Sequence, residues 1–201
     1  MRRTDSSILH LVAPACAVLN IAIGSVLYIT RAPIYLDNTG TILLALLLSR
    51  AGLKPFLYCA FVGAVSYLLG GAIYKPVLPW FSGTAIAVAA CAVFILVPLY
   101  NRYARFGRTA LAAVVLGSGV LTGLVAALVS LPVAVFIFGG VTGSGSTLLV
   151  AAMQAMGAKL LEASFWSSVL IEPVDKTLQI IVSLTLLNAT PAVLRDRLAR
   201  G

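Results

Sequence analysis

The stretch that decides the fold is Pro33-Ile34-Tyr35-Leu36-Asp37-Asn38-Thr39-Gly40-Thr41, a polar segment between two long apolar runs. It places an aspartate, an asparagine and two threonines where a membrane helix would begin. A charged or amide side chain near hydrocarbon is costly unless it is paired or faces water. We therefore expect residues 33–41 to lie at a membrane surface and to form one wall of a polar cavity there.

The composition places the whole chain in a membrane. Of its 201 residues 61% are hydrophobic and 10% are charged, and the mean hydropathy is +1.06. Soluble domains are about half apolar and about one quarter charged. The formal net charge of +8 comes from basic residues that flank apolar runs, so it indicates topology in a bilayer and not a nucleic-acid partner. We predict an all-α integral membrane protein, with residues 1–201 forming a single compact bundle.

The apolar runs predict six transmembrane helices, at about residues 8–30, 35–49, 56–72, 82–100, 109–138 and 173–188. Residues 139–166 are expected to form an amphipathic or re-entrant segment. The reason is that the stretch from Gly139 to Thr147 contains four glycines and four hydroxyl residues, which do not make a stable span.

The basic residues predict the orientation, because Lys and Arg in short loops favour the cytoplasm. With the N-terminus inside, ten of the fourteen basic residues are cytoplasmic. These ten are Arg2, Arg3, Arg50, Lys54, Arg102, Arg105, Arg108, Arg195, Arg197 and Arg200. We therefore predict that both termini lie in the cytoplasm.

Polar and aromatic residues gather on the predicted outer side, from three separate connections. An apolar frame with a few placed polar groups is typical of pockets for small molecules. The candidate ligand contacts are Tyr35, Asp37, Asn38, Thr39, Tyr74, Trp80, Thr142, Ser144, Glu172, Asp175 and Lys176. The alternative is an ordinary solvated face, with Asp37 as a helix cap and Asp175 as an acid favoured by a helix dipole.

The sequence contains no pattern of a catalytic or metal site. A phosphate-binding loop and a His-Glu-x-x-His motif are both absent, and the three cysteines form no metal-ligand cluster. A serine–lysine hydrolase built on Ser144 with Lys159 or Lys176 is a minor alternative. We expect no catalytic residue, no cofactor and no bound metal.

Small residues recur at helical spacing on the first predicted helix, where Ala13 and Ala17 lie one turn apart. Such a face lets another helix approach closely in lipid. The approaching helix is either a neighbour in the same chain or one from a partner protein.

Two blocks of the sequence resemble one family. Pro33-Ile34-Tyr35-Leu36-Asp37 with Gly40-Thr41 resembles the start of the second helix in the substrate-binding (S) components of energy-coupling factor (ECF) transporters. Residues 138–145 (FGGVTGSG), followed by Glu172-Pro173-Val174-Asp175-Lys176, resemble the late region of the same proteins. The likeness covers most of the chain, including its length, six spans and orientation.

The resemblance implies a multi-pass protein of a bacterial or archaeal cytoplasmic membrane that captures a small water-soluble vitamin or vitamin precursor. Such a component docks onto a membrane T component driven by two ATPase subunits, so this chain itself would not be an enzyme. In the family small residues on helix 1 form the docking surface, and Ala13 and Ala17 match that spacing. The acids on the outer side favour a ligand of the pyrimidine or thiamine type.

Two other functions remain open at this stage. The first is a ligand-sensing or assembly module that does not transport, although no signalling domain is attached. The second is an autonomous small permease, although the six predicted helices show no evident inverted repeat. Dependence of transport on partner ATPases would separate the S component from both.

Overall fold

The computed structural model describes residues 6–143 and 145–199, which form helices and no β-strand. A π-helical turn, Ala92–Leu96, joins α4 to α5, and a second one, Val133–Ile137, extends α6. The helices are α1 (Ser6–Ile29), α2 (Thr39–Leu48), α3 (Leu53–Ile73), α4 (Ser82–Cys91), α5 (Val97–Tyr103), α6 (Arg108–Pro132), α7 (Gly145–Ala155), α8 (Leu160–Ala189) and α9 (Ala192–Ala199).

Helix α2 lies at the centre of the bundle, and all ten of its residues are buried. It packs against α1, α3, α4, α8 and α9. From Ile42 to Leu48 its sequence is apolar on every side, as expected of a helix without a solvent-facing side. At 1.5 Å per residue α2 is about 15 Å long, which is about half the hydrocarbon thickness of a bilayer.

The polar start of α2 is held by Asn20 of α1, which is 1% exposed. The backbone N–H of Gly40 donates to Asn20 Oδ1 at 2.6 Å. Asn20 Nδ2 donates in turn to Thr41 Oγ1 at 3.0 Å and to Ser66 Oγ at 3.1 Å. Gly40 also permits a close approach of α1, because a Cβ there would collide with the carbonyl group of Cys16. The Gly40 N–H group and the Thr41 hydroxyl group are therefore satisfied inside the protein.

Four helical stretches of the described chain are long and apolar enough to cross a membrane: Ile8–Ile29, Leu53–Ile73, Leu78–Phe106 and Arg108–Ile137. Helices α8 and α9 meet at 111° and add a fifth if the bent pair forms one span. The predicted all-α class is confirmed for the described residues, and their apolar helices fit a multi-pass membrane protein. The expected count of six included α2, which is too short to span a bilayer by itself.

Two predicted helix boundaries differ from the structure. Helix α2 begins at Thr39 and not at residue 35, because Leu36 adopts a left-handed conformation (φ 49°) and the loop binds α8. The last long helix begins at Leu160 and contains Pro173, which was expected to start it. Residues 139–166, expected to be amphipathic or re-entrant, therefore include the short helix α7 and the first turns of α8.

Helices α6 and α8 approach closely along a face of small residues. Gly119 lies against Thr177 and Gly123 lies against the backbone of Pro173, so that a Cβ at either glycine would overlap α8. Small residues permit such close backbone packing in membrane bundles. This packing fixes the position of α8 and of the charged residues that it carries.

The turns gather at two ends of the bundle. At one end Asn101 Nδ2 donates to the carbonyl oxygen of Ser49 at 3.0 Å, which joins the α2–α3 turn to α5. About 30 Å away, at the other end of α3, the rings of Tyr28 and Tyr74 pack with centroids 5.8 Å apart. We call this second end the aromatic end. We call the first the basic end, since the residues in and beside its turns include Arg50, Lys54, Arg102, Arg105 and Arg108.

Candidate small-molecule binding site

Asp175 of α8 binds the loop that precedes α2. Its Oδ1 accepts hydrogen bonds from the backbone N–H groups of Tyr35 (2.8 Å) and Leu36 (2.9 Å). The Asp175 side chain is fully buried. Hydrogen bonds to a charged acceptor are about twice as strong as neutral ones. Asp175 therefore anchors the loop against α8 at the aromatic end.

The second oxygen of Asp175 belongs to a buried charged cluster on one face of α8. Lys176 Nζ donates to Asp175 Oδ2 at 2.6 Å and forms an ion pair with Glu172 Oε2 at 3.2 Å. Gln179 Nε2 also donates to Asp175 Oδ2, at 2.8 Å. All four side chains are buried. Because buried ion pairs are poor sources of stability, such a cluster on an apolar helix is a candidate functional site.

A second polar group lies between α3 and the start of α2. Asn38 Nδ2 donates to Asp37 Oδ1 at 3.0 Å and to the hydroxyl group of Tyr67 at 2.9 Å. Within the described residues Asn38 Oδ1 has no hydrogen-bond partner. This group therefore has unused capacity to accept hydrogen bonds.

Lys75, in the connection between α3 and α4, is buried against two aromatic rings. Its Nζ lies 5.1 Å from the ring centroid of Tyr35 and 5.7 Å from that of Tyr28, within the range of cation–π attraction. It forms neither a hydrogen bond nor an ion pair with any described residue. Burial lowers the pKa of Lys75, and nearby carboxylates, Asp37 foremost, oppose the shift. The ammonium group thus lacks a hydrogen-bond acceptor within the described chain.

A cleft with a cavity volume of about 70 Å³ adjoins these groups. This volume is below the range of about 300–1,000 Å³ that is typical of drug-sized ligands, so the cleft fits only a small solute. Residues that line it include Tyr35, Asp37, Tyr67, Lys75, Phe81 and Thr142. A smaller cleft, with a cavity volume of about 10 Å³, shares three of these, Tyr35, Asp37 and Lys75. The loop before α2 and the α3–α4 connection therefore shape both clefts.

The structure brings most of the predicted site residues together in two layers. Those that line the clefts are Tyr35, Asp37, Tyr74 and Thr142. Those in the buried networks behind them are Asn38, Thr39, Glu172, Asp175 and Lys176. Trp80 lines neither cleft, because its side chain is 59% exposed and its ring edge packs against Phe138. Ser144 lies outside the described residues.

Sequence reasoning missed several residues of the site. Gln179 could have been found, since it lies one helical turn after Asp175 on the charged face of α8. Tyr67 is the tyrosine of α3 that reaches the polar group, and no local pattern distinguishes it from Tyr58. From the sequence, Lys75 is only a charged residue in a connection between helices. Its contacts with the rings of Tyr28 and Tyr35 could not be predicted, because these residues come from α1 and the loop that follows it.

The two alanines predicted to dock a partner face the interior. Ala17 is buried in the hydrophobic core, and Ala13 is half-buried against the same core. Of the two alternatives for this face, the contacts favour packing within the chain. The neighbouring side chains of Leu11 and Val18 on α1 point outward and are largely exposed.

Comparison with protein-family models, with curated proteins and with solved structures finds no match to this chain. Among residues 6–143 and 145–199, no group of three or more His, Cys, Asp or Glu side chains is arranged to hold a metal ion.

Proposed function

We propose that this chain captures a small polar solute at the aromatic end of a membrane bundle, as the S component of an ECF transporter. The observation that carries the proposal is the set of buried ionisable side chains beside an open cleft: Asp37, Lys75, Glu172, Asp175 and Lys176. Ionisable groups inside an apolar bundle are expensive to bury and mark binding or transport sites. The cleft has the apolar frame and few polar groups of a ligand pocket.

Six membrane passes follow if residues 30–38 and α2 together form one pass. Helix α1 ends at the aromatic end and α3 begins at the basic end, so the intervening chain has to connect the two. An irregular loop followed by a helix of about 15 Å is long enough for this. Non-helical backbone is tolerated at membrane depth where protein surrounds it. The hydrogen bonds from Asp175 and Asn20 support such a broken span.

The charge distribution supports an orientation with both termini in the cytoplasm. The basic end carries Arg50, Lys54, Arg102, Arg105 and Arg108, and Lys and Arg in short loops favour the cytoplasmic side. Helix α1 starts at this end, and α8 runs towards it from Asp175 past the start of α2. The cleft then opens to the outside of a bacterial or archaeal cytoplasmic membrane.

The family assignment is supported by a contact between the two blocks that carry the resemblance. Asp175, from the late block, binds the backbone N–H groups of Tyr35 and Leu36 in the early block. In this proposal a T component and two ATPase subunits supply the energy, and the ligand is a vitamin or a vitamin precursor. Since Ala13 and Ala17 pack inward, the docking surface on α1 would use outward residues such as Leu11 and Val18.

The experiment is purification of the tagged chain from its native membranes in mild detergent, with mass spectrometry of co-purified proteins and released small molecules. The variant Ala134→Leu narrows the cleft, and Ala110→Leu is a matched control in an apolar groove near the basic end. We expect the wild type and Ala110→Leu to carry a vitamin-like compound, a T component and two ATPases. Ala134→Leu is expected to retain the protein partners and to lose the compound.

Two outcomes would contradict the proposal in different ways. Absence of any bound compound from the wild-type protein would contradict the proposal that the cleft binds a small solute. A bound compound without ATPase partners would contradict the assignment as an S component. It would favour a sensing or assembly module or an autonomous permease.

A further inference from the structure

Asp37 and Lys75 carry opposite charges and line the same cleft, yet they form no ion pair. Each side chain is 7% exposed. Asp37 accepts a hydrogen bond from Asn38 to Oδ1, and the Tyr67 hydroxyl group is its other polar neighbour. Within the described chain, the ammonium group of Lys75 makes cation–π contacts with the rings of Tyr28 and Tyr35 and no hydrogen bond. Since buried charges are costly unless they are paired, both groups have binding capacity that the chain itself leaves unused.

The other charged side chains of the site already have partners within the chain. Lys176 is paired with Asp175 and with Glu172, and Asp175 accepts further hydrogen bonds from Gln179 and from the loop. None of these groups lines either cleft. Asp37 and Lys75 are therefore the charged pair that a molecule in the cleft would meet.

We propose that the ligand is two-headed, with a hydrogen-bond donor such as an amino group for Asp37 and a carbonyl or carboxylate acceptor for Lys75. Such a ligand is a zwitterion or a neutral heterocycle, and it is not an ion of a single sign. This inference rests on the proposed function only in placing a solute in this cleft.

The remaining walls of the cleft fit a ligand with a planar ring. Tyr35 and Phe81 provide aromatic surface, and Leu78 adds an apolar contact. Thr84 Oγ1 is a buried hydroxyl of the same cleft that has no partner within the described chain. Burial lowers the pKa of Lys75, and an acceptor on the ligand would offset that effect by pairing with the ammonium group.

A matched set of probes tests the inference by thermal unfolding of the purified protein in detergent. The set is 4-(aminomethyl)benzoate, a zwitterion with both heads, benzylamine, which lacks the carboxylate, and benzoate, which lacks the amino group. We expect 4-(aminomethyl)benzoate to raise the Tm with concentration, and its two single-headed analogues to have no effect at the same concentration. A single-headed analogue that is as effective overturns the inference, and so does the absence of any shift with the two-headed probe.

Variants assign the two heads to their residues. Asp37→Asn and Lys75→Met should each weaken binding of the effective probe about 10- to 100-fold, the loss typical of one hydrogen bond to a charged group. Asp196→Asn and Lys159→Met change the same residue types at exposed positions and should leave binding unchanged. In Asp37→Asn the amino group of the probe should lose its advantage over the analogue without it. Unchanged binding in either cleft variant overturns the assignment.

Failure of this inference differs from failure of the proposed function. If a two-headed probe binds but no ATPase co-purifies, the ligand chemistry stands and the transporter does not. If ATPases co-purify with a compound that has only one kind of head, the transporter stands and this inference does not.

Discussion

Asp175 joins two segments that are distant in the sequence. One of its oxygens accepts hydrogen bonds from the backbone N–H groups of Tyr35 and Leu36. The other accepts hydrogen bonds from the side chains of Lys176 and Gln179. The single carboxylate of Asp175 therefore pairs with the buried Lys176 and also holds the loop before α2 in place beside the cleft.

The substitution Asp175→Asn should lower the free energy of unfolding by about 3–5 kcal/mol, because it leaves the buried Lys176 under-compensated. Thermal unfolding in detergent, followed by tryptophan fluorescence, measures the loss. Asp196→Asn is the control and should change stability by less than about 0.5 kcal/mol, since Asp196 is exposed. The double variant Asp175→Asn/Lys176→Met should lose less than the sum of the two single variants. Additive losses would show that the two side chains are not coupled.

At the scale of secondary structure elements, the contact between α6 and α8 places the charged face of α8. It depends on glycines, because Gly123 lies against the backbone of Pro173 and Gly119 lies against Thr177. Helix α2 depends in the same way on Gly40, which lies against α1. The elements that carry the site are thus positioned by residues that contribute no side chain.

Gly123→Ala should destabilise the protein by about 1–3 kcal/mol, because the added methyl group forces α6 and α8 apart. Gly117→Ala on the same helix is a matched control, since a Cβ there meets nothing within 4 Å. It should be neutral, or stabilising by up to about 1 kcal/mol through helix propensity. Thermal unfolding compares the two, and equal effects would show that the close α6–α8 contact does not limit stability.

At the scale of the whole molecule, the two ends of the bundle differ in character. The turns near Ser49 and Asn101 carry arginines and lysines, whereas the opposite end carries the tyrosines and the clefts. The difference predicts which end faces the cytoplasm.

Single cysteines at exposed positions near each end test this orientation. In intact cells, a membrane-impermeant maleimide should label Lys159→Cys, and it should label Arg105→Cys only after permeabilisation. The native Cys16, Cys59 and Cys91 are buried, so the wild-type protein should stay unlabelled and serves as the control. The reverse pattern of labelling would contradict the proposed topology.

The helices and part of the site could be predicted from the sequence, because they depend on local features. Apolar runs and charged residues are local features, so helices such as α3 and α6 and the acids Asp37 and Asp175 could be identified without a fold. The start of α2 could not, because it depends on a hydrogen bond from Leu36 to a residue more than one hundred positions later. The exposed position of Trp80 was missed for the same reason.

The sequence by itself determined that the chain forms apolar helices long enough to cross a membrane and that polar groups concentrate near residues 33–41 and 172–176. Only the tertiary structure decided that Asp175 and Lys176 are bound to each other and to the loop, while Asp37 and Lys75 face a cleft without pairing. Hydropathy and helical periodicity act over a few neighbouring residues. The pairing of buried charges depends on which helices meet, and α8 meets the loop because glycines on α6 let it pack closely there.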